Sequence, residues 1–100
     1  MLKTAAGGLM LLLLVQGSSA ADQGILRQGC AACHAADVRV VGPAFREVAA
    51  RYRSVEAAEA RLARSIREGS NGIWGKVAMP AAPQIGEVDA RKLARWVLAQ

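Results

Sequence analysis

Cys30-Ala31-Ala32-Cys33-His34 decides how the rest of this chain is read. The two cysteines and the single histidine of the whole sequence fall within these five residues. C-x-x-C-H is the attachment sequence for c-type haem. Cysteines at i and i+3 lie on one face of a helical turn, which brings both sulfurs to the two vinyl groups on one porphyrin edge. His34 follows at once and can reach the iron from one side of the ring. Three other readings compete. A thioredoxin-like C-x-x-C needs a strand–helix context, and no alternating strand pattern is visible. Structural zinc usually wants four ligands, where Cys30, Cys33 and His34 offer three. A local disulfide with an incidental histidine is chemically possible. One cysteine pair and the only histidine, arranged this way behind an export signal, favour haem.

That export signal lies immediately upstream. Residues 1–21 read as a secretory signal peptide: Lys3 is the positive n-region, Leu9-Met10-Leu11-Leu12-Leu13-Leu14-Val15 the apolar h-region, and Ser18, Ser19, Ala20 and Ala21 the small residues of a cleavage site. Cleavage after Ala20 and after Ala21 both fit. A membrane anchor is the competing reading, but the apolar run is far short of the ~20 residues a spanning helix needs. The mature chain, residues 22–100, is thus expected in the periplasm with no stable membrane insertion.

At 100 residues and 10.5 kDa, the chain holds one domain. Of its apolar residues, 40 lie from Asp22 onward, and 17 of those are alanine. So few sizeable side chains need a staple, and a covalent haem is one. A two-domain enzyme, a Rossmann fold and a cystine framework are excluded. With Lys3 gone, twelve basic residues oppose eight acidic ones, +4. Ferric haem with two ionised propionates brings this to +3. Such a charge favours salt-sensitive docking on acidic partner surfaces. Nucleic acid is not an expected partner for an exported protein.

Helical periodicity runs through the mature chain, so the fold class is all-α. Asp22 can cap a first helix carrying Ile25, Leu26, Gly29 and Cys30. Pro43, suited to a first helical position, opens a second with Phe45, Val48, Ala49 and Tyr52 at i, i+3, i+4, i+7. Ser54 is the expected N-cap of a third, with Val55, Ala58, Leu62 and Ile66 in its stripe. Gly69 should stop it. Residues 69–86 hold four glycines and two prolines and read as a loop. Residues 87–99 form a closing helix with Leu93, Trp96 and Val97 on one side.

The sixth iron ligand follows from elimination. No second histidine exists, and Met1 and Met10 leave with the signal peptide, so Met79 is the only mature methionine. Pro80 biases it away from helical geometry. Methionine is ordinarily core filler; with a haem to be covered on its other face, ligation is the favoured reading. Lys76 is the reserve ligand.

In addition to the motif, the stretches Val41-Gly42-Pro43-Ala44-Phe45, Val48-Ala49-Ala50, Gly69-Ser70-Asn71-Gly72-Ile73-Trp74-Gly75, Met79-Pro80 and Leu93-Ala94-Arg95-Trp96-Val97-Leu98 occur in a telling order. In these the chain resembles the small bacterial class I cytochromes c of the cytochrome c-551 type, across nearly the whole mature sequence. The resemblance implies helices wrapped around one covalent haem, and a monohaem, monomeric, single-electron carrier serving terminal oxidases or denitrification enzymes. It implies that the Pro43 carbonyl accepts a hydrogen bond from His34 Nδ1–H. It also implies that Trp74 donates its indole N–H toward a haem propionate, where ordinary core packing is the alternative. Relatives often place an arginine near the propionates in the third helix, where this chain has Ser65. Arg61, Arg64 and Arg67 read either as a docking stripe or, more simply, as a solvated helix face near a C-terminal dipole.

His34 and Met79 would hold iron in both oxidation states, so no bond-making enzyme is expected. Electrons should leave at the haem edge near Cys30 and Cys33. One rival is a gas-binding or gas-sensing c-type haem protein with an open sixth position; another is a thiol–disulfide oxidoreductase. A further expectation is that the terminal helices cross with Gly29 as their contact point.

Overall fold

The computed structural model describes residues 7–10 and 20–100. The expected signal peptide lies mostly outside the described residues. Four helices follow in order: α1 (Ala20–Arg27), α2 (Phe45–Tyr52), α3 (Ala58–Glu68) and α4 (Glu87–Leu98), with a single 3-10 turn at Cys30–Ala32 between α1 and α2. Among the described residues there is no strand, only isolated bridges pairing His34 with Arg39 and Ser70 with Met79. No helix among them is long and apolar enough to cross a membrane. Each helix has an acidic residue in its first turn and a basic one in its last, the favourable order for its dipole.

α4 is the hub. It packs against α1, α2 and α3, and contributes Ala90, Leu93, Ala94 and Val97 to a core completed by Ile25, Phe45, Val48, Leu62, Ala63 and Ile85. The alanines matter, because Ala90 and Ala94 are fully buried and let neighbouring helices approach. Glu59 in the first turn of α3 accepts from Arg95 at 2.8 Å and pairs with Arg91 at 3.8 Å, tying α3 to α4 across the surface.

Four boundaries depart from the sequence reading. α1 begins at Ala20, so Asp22 lies within its first turn and does not cap it. α1 stops at Arg27, short of Cys30, because Gly29 takes a left-handed φ of +78° and breaks the hydrogen-bond ladder. Pro43 precedes the second helix instead of opening it. Ala44 is extended, and the first free amides of α2 donate to the Ala35 and Ala36 carbonyls at 2.9 and 3.1 Å, which fastens the helix to the chain just past His34. Ser54 does not cap α3; the chain keeps turning through residues 53–57, and Ala57, at φ +57°, holds the N-cap position. Gly69 does end α3, at φ +80°.

The terminal helices do cross, but the contact glycine is not Gly29, around which a Cβ would meet nothing within 4 Å. It is Gly24, where a Cβ would stand 2.9 Å from Leu93 Cδ2. A methyl displaces only the end of a flexible side chain; a branched residue overpacks the crossing. Gly24→Val should therefore lower the stability of the holo-protein by about 1–3 kcal/mol with haem still attached. Thermal melts against the parent decide it, and an unchanged midpoint would remove Gly24 from the packing account.

Candidate haem site

The motif residues are positioned locally. Cys33 and His34 both donate their amides to the Cys30 carbonyl, at 3.1 and 2.9 Å, closing the turn. In a 3-10 turn side chains at i and i+3 eclipse, so Cys30 and Cys33 stand more nearly in line than an α-helical turn would put them. Both thiols are free and half-buried. Burial pushes the Cys30 thiol pKa up, with a smaller contribution from Cys33. The zinc reading finds no support: among the described residues no three Cys, His, Asp or Glu side chains converge on a metal position.

His34 is oriented by three neighbours. Its Nδ1 lies 2.7 Å from the Pro43 carbonyl oxygen. A carbonyl can only accept, so Nδ1 carries the proton and the Nε2 lone pair faces away, available to a metal. One face of the imidazole stacks on Phe45, centroids 5.2 Å apart and planes 22° apart. Trp96 of α4 meets Phe45 edge-on at 5.1 Å, so the aromatic stack runs from the imidazole into the core. Gly42 supplies the third constraint, since a Cβ there would lie 2.6 Å from His34 Cε1. Gly42 had no role in the sequence reading beyond its place in a matching stretch; the Gly-Pro step just after the motif was the available signal.

Beside this histidine an apolar cleft, open to solvent on one side, runs between α2, α3, α4 and the loop after α3. Cys30, Pro43, Trp74 and Met79 line it, whereas Cys33 and His34 are not among its lining residues. No charged side chain lines it; its polar groups are the Ser65 and Ser70 hydroxyls, the Tyr52 phenol, Cys30 and Trp74. Ser65 thus does face the cleft, where the resemblance puts it. The Trp74 side chain is half-buried, and its indole N–H meets no acceptor among the described residues. A flat apolar group with a few anionic oxygens suits such walls. The residues fit a haem.

Met79 enters on a short closed loop. Its amide donates to the Ser70 carbonyl at 2.9 Å, and the Ser70 amide returns the bond at 3.1 Å. The base of this loop rests on Gly69, where a Cβ would collide with the Met79 carbonyl oxygen at 2.6 Å. Lys76 is exposed on the same loop. Two of the three arginines of α3 are engaged: Arg64 pairs with Glu68 at 3.4 Å and Arg67 donates to the Ile85 carbonyl at 3.2 Å.

A family model described as cytochrome c oxidase, cbb3-type, subunit III matches residues 19–97. Cytochrome c-551 of Pseudomonas aeruginosa is 46% identical over 90 residues, 88% of this chain and 86% of that protein. Cytochrome c-552 of Nitrosomonas europaea is 40% identical over 87 residues, 86% of this chain and 84% of its own. The chain belongs to the class I c-type cytochromes of the c-551 group. Crystallised Nitrosomonas europaea cytochrome c552 superposes on this cytochrome with a TM-score of 0.73 at 39% identity, over 75% of this chain and 93% of that one. The class 1 cytochrome MtoD of Sideroxydans lithotrophicus ES-1, at 23% identity and a TM-score of 0.66, shares the fold. The cytochrome carries one covalently bound haem c and works as an electron carrier between redox partners, not as an enzyme. These relatives support neither the gas-binding nor the thiol–disulfide alternative.

Proposed function

We propose that Cys30 and Cys33 hold the haem through thioethers, that His34 Nε2 and the Met79 thioether are its axial ligands, and that Pro43 and Trp74 shape its surroundings. The observation that carries this reading is the 2.7 Å contact from His34 Nδ1 to the Pro43 carbonyl. It fixes the tautomer, holds the ring against rotation and leaves Nε2 as the only free nitrogen. When bound, haem iron supplies the one-electron chemistry, cycling between ferric and ferrous states. The protein's own residues do the rest. The apolar walls contributed by Ile25, Val48, Leu62 and Ile66 exclude water, and a low dielectric with thioether ligation favours the ferrous state. The Trp74 indole N–H would donate to a haem propionate. Cys30 lines the same cleft and is half-buried, so the haem edge near Cys30 and Cys33 is where electrons should pass.

The wider setting belongs to the same proposal. A cleaved signal peptide over residues 1–21 delivers a mature domain of residues 22–100 to the periplasm. The monomer meets acidic docking surfaces of a terminal oxidase or a denitrification enzyme. Its +4 formal charge from Asp22 onward is what recommends acidic partners.

Mass spectrometry of the denatured protein, made with haem-maturation machinery present, tests the attachment. The expected mass is the mature chain plus one haem, with an N-terminus at Ala21 or Asp22. A haem-free mass with two thiols or a disulfide would end the reading. The ferric spectrum should also show the weak far-red band of a thioether–iron bond.

A further inference from the structure

We propose that Arg39 and Arg51 are positioning residues for the sixth ligand, two guanidinium groups that clasp the Met79 loop shut over the cleft. The proposal rests on Met79 as the axial ligand.

The loop of residues 70–79 is closed at its base by the paired Ser70–Met79 hydrogen bonds. Between them, among the described residues, positions 71–78 make no backbone-to-backbone hydrogen bond. The tip is held instead by side chains from elsewhere. Arg51 donates to the Ile73 carbonyl at 3.0 Å, and Arg39 to the Trp74 carbonyl at 3.2 Å. Two successive carbonyls at the tip are thus each held by a guanidinium. Arg51 also lies over the Trp74 ring, 4.7 Å from its centroid. A guanidinium can stack on an indole and donate in the same pose, which an ammonium does poorly.

Both arginines are anchored on the histidine side of the cleft. Arg51 belongs to α2. Arg39 forms the isolated bridge with His34 and pairs at 3.5 Å with Glu47, one helical turn before Arg51. The clasp therefore spans from the His34 segment and α2 to a loop whose Ile73, Trp74, Val77 and Met79 all line the cleft. These contacts are exposed, so each contributes little to global stability. Opening one loop is a smaller event than unfolding, and there the same contacts weigh heavily. An open loop leaves the thioether away from the iron and admits an outside ligand. Electron transfer with little rearrangement requires that this open population stay small.

The test uses intact ferric holo-protein and imidazole as the probe. Imidazole affinity by absorbance titration, midpoint potential and denaturation midpoint are compared for the parent, Arg39→Ala, Arg51→Ala, the double variant, Arg51→Lys and Met79→Ala. If loop opening limits access, apparent affinity scales with the open population. Each single variant should bind imidazole roughly three- to tenfold tighter and the double variant at least about tenfold tighter. Arg51→Lys should fall between parent and Arg51→Ala, and the double variant's potential should drop. Tight binding by Met79→Ala with parent-like affinity in the double variant would overturn the clasp and leave the ligand assignment standing. Parent-like affinity in Met79→Ala as well would overturn both. A lower melting point with unchanged imidazole affinity and potential would make the arginines structural only, which also overturns the proposal.

Discussion

Met79→Ala should keep its haem and lose its redox character. Attachment is assigned to Cys30 and Cys33, far along the chain from the substitution, so the denatured mass should still include one haem. The iron then has no protein thioether, because Met79 is the only methionine after the signal peptide. Water or an added ligand takes the position. Thioether ligation favours ferrous iron, so the potential should fall by on the order of 0.1–0.3 V, a modest part of the roughly 0.8 V that axial ligands span. Reduced protein should bind carbon monoxide readily, where the parent binds it weakly. Redox titration and carbon monoxide difference spectra read both effects. Unchanged values would return Met79 to the ordinary role of a flexible side chain filling a gap.

Gly69→Ala should do nearly as much damage without touching a ligand. The residue has φ +80° and ψ 172°, a region essentially restricted to glycine, which costs an alanine about 1–3 kcal/mol. Its new Cβ would lie 2.6 Å from the Met79 carbonyl oxygen, 3.0 Å from the Ala81 nitrogen and 3.3 Å from the Pro80 carbon. All three are backbone atoms in the segment that carries Met79, so relief requires moving that segment and breaking the Ser70–Met79 pair. The combined loss should be roughly 2–4 kcal/mol, with a weakened far-red band as Met79 is displaced. Gly29→Ala is the comparison: at φ +78° and ψ 11° it is ordinary left-handed backbone with open space around it, so it should lose only about 1 kcal/mol. Equal losses in the two variants would show that the clash is relieved at no cost and that the Met79 loop does not depend on Gly69.

Much of the site is legible in the sequence because its chemistry is local or unique. Cys30, Cys33 and His34 are linked by one turn, and a turn is set by neighbours in the chain. Met79 needs no geometry to be singled out as the thioether candidate, since it is the only methionine after the expected signal peptide. Helix stripes are similarly local: Phe45, Val48 and Ala49 are buried as their spacing requires, and Gly69 ends α3 where its backbone freedom suggests.

The misplaced features share a physical cause. Gly24 and Gly29 look alike in sequence, and only the crossing of α1 with α4 shows which one faces Leu93. Ser54 is a better cap by side-chain chemistry than Ala57, yet the turn after α2 sets where α3 can start, so the better capping residue goes unused. The crowding of Gly42 against the imidazole depends on how the chain returns after His34. Arg39 and Arg51 reach carbonyls 35 and 22 residues away, and no periodicity encodes such contacts. The sequence by itself determined the covalent chemistry, the ligand candidates and the helical class, because these follow from residue identity and from spacing within a few turns. Tertiary structure alone decided the crowding of Gly42 against the imidazole, the glycine at the helix crossing and the arginines that hold the Met79 loop, because each depends on two distant segments meeting at a distance that neither encodes.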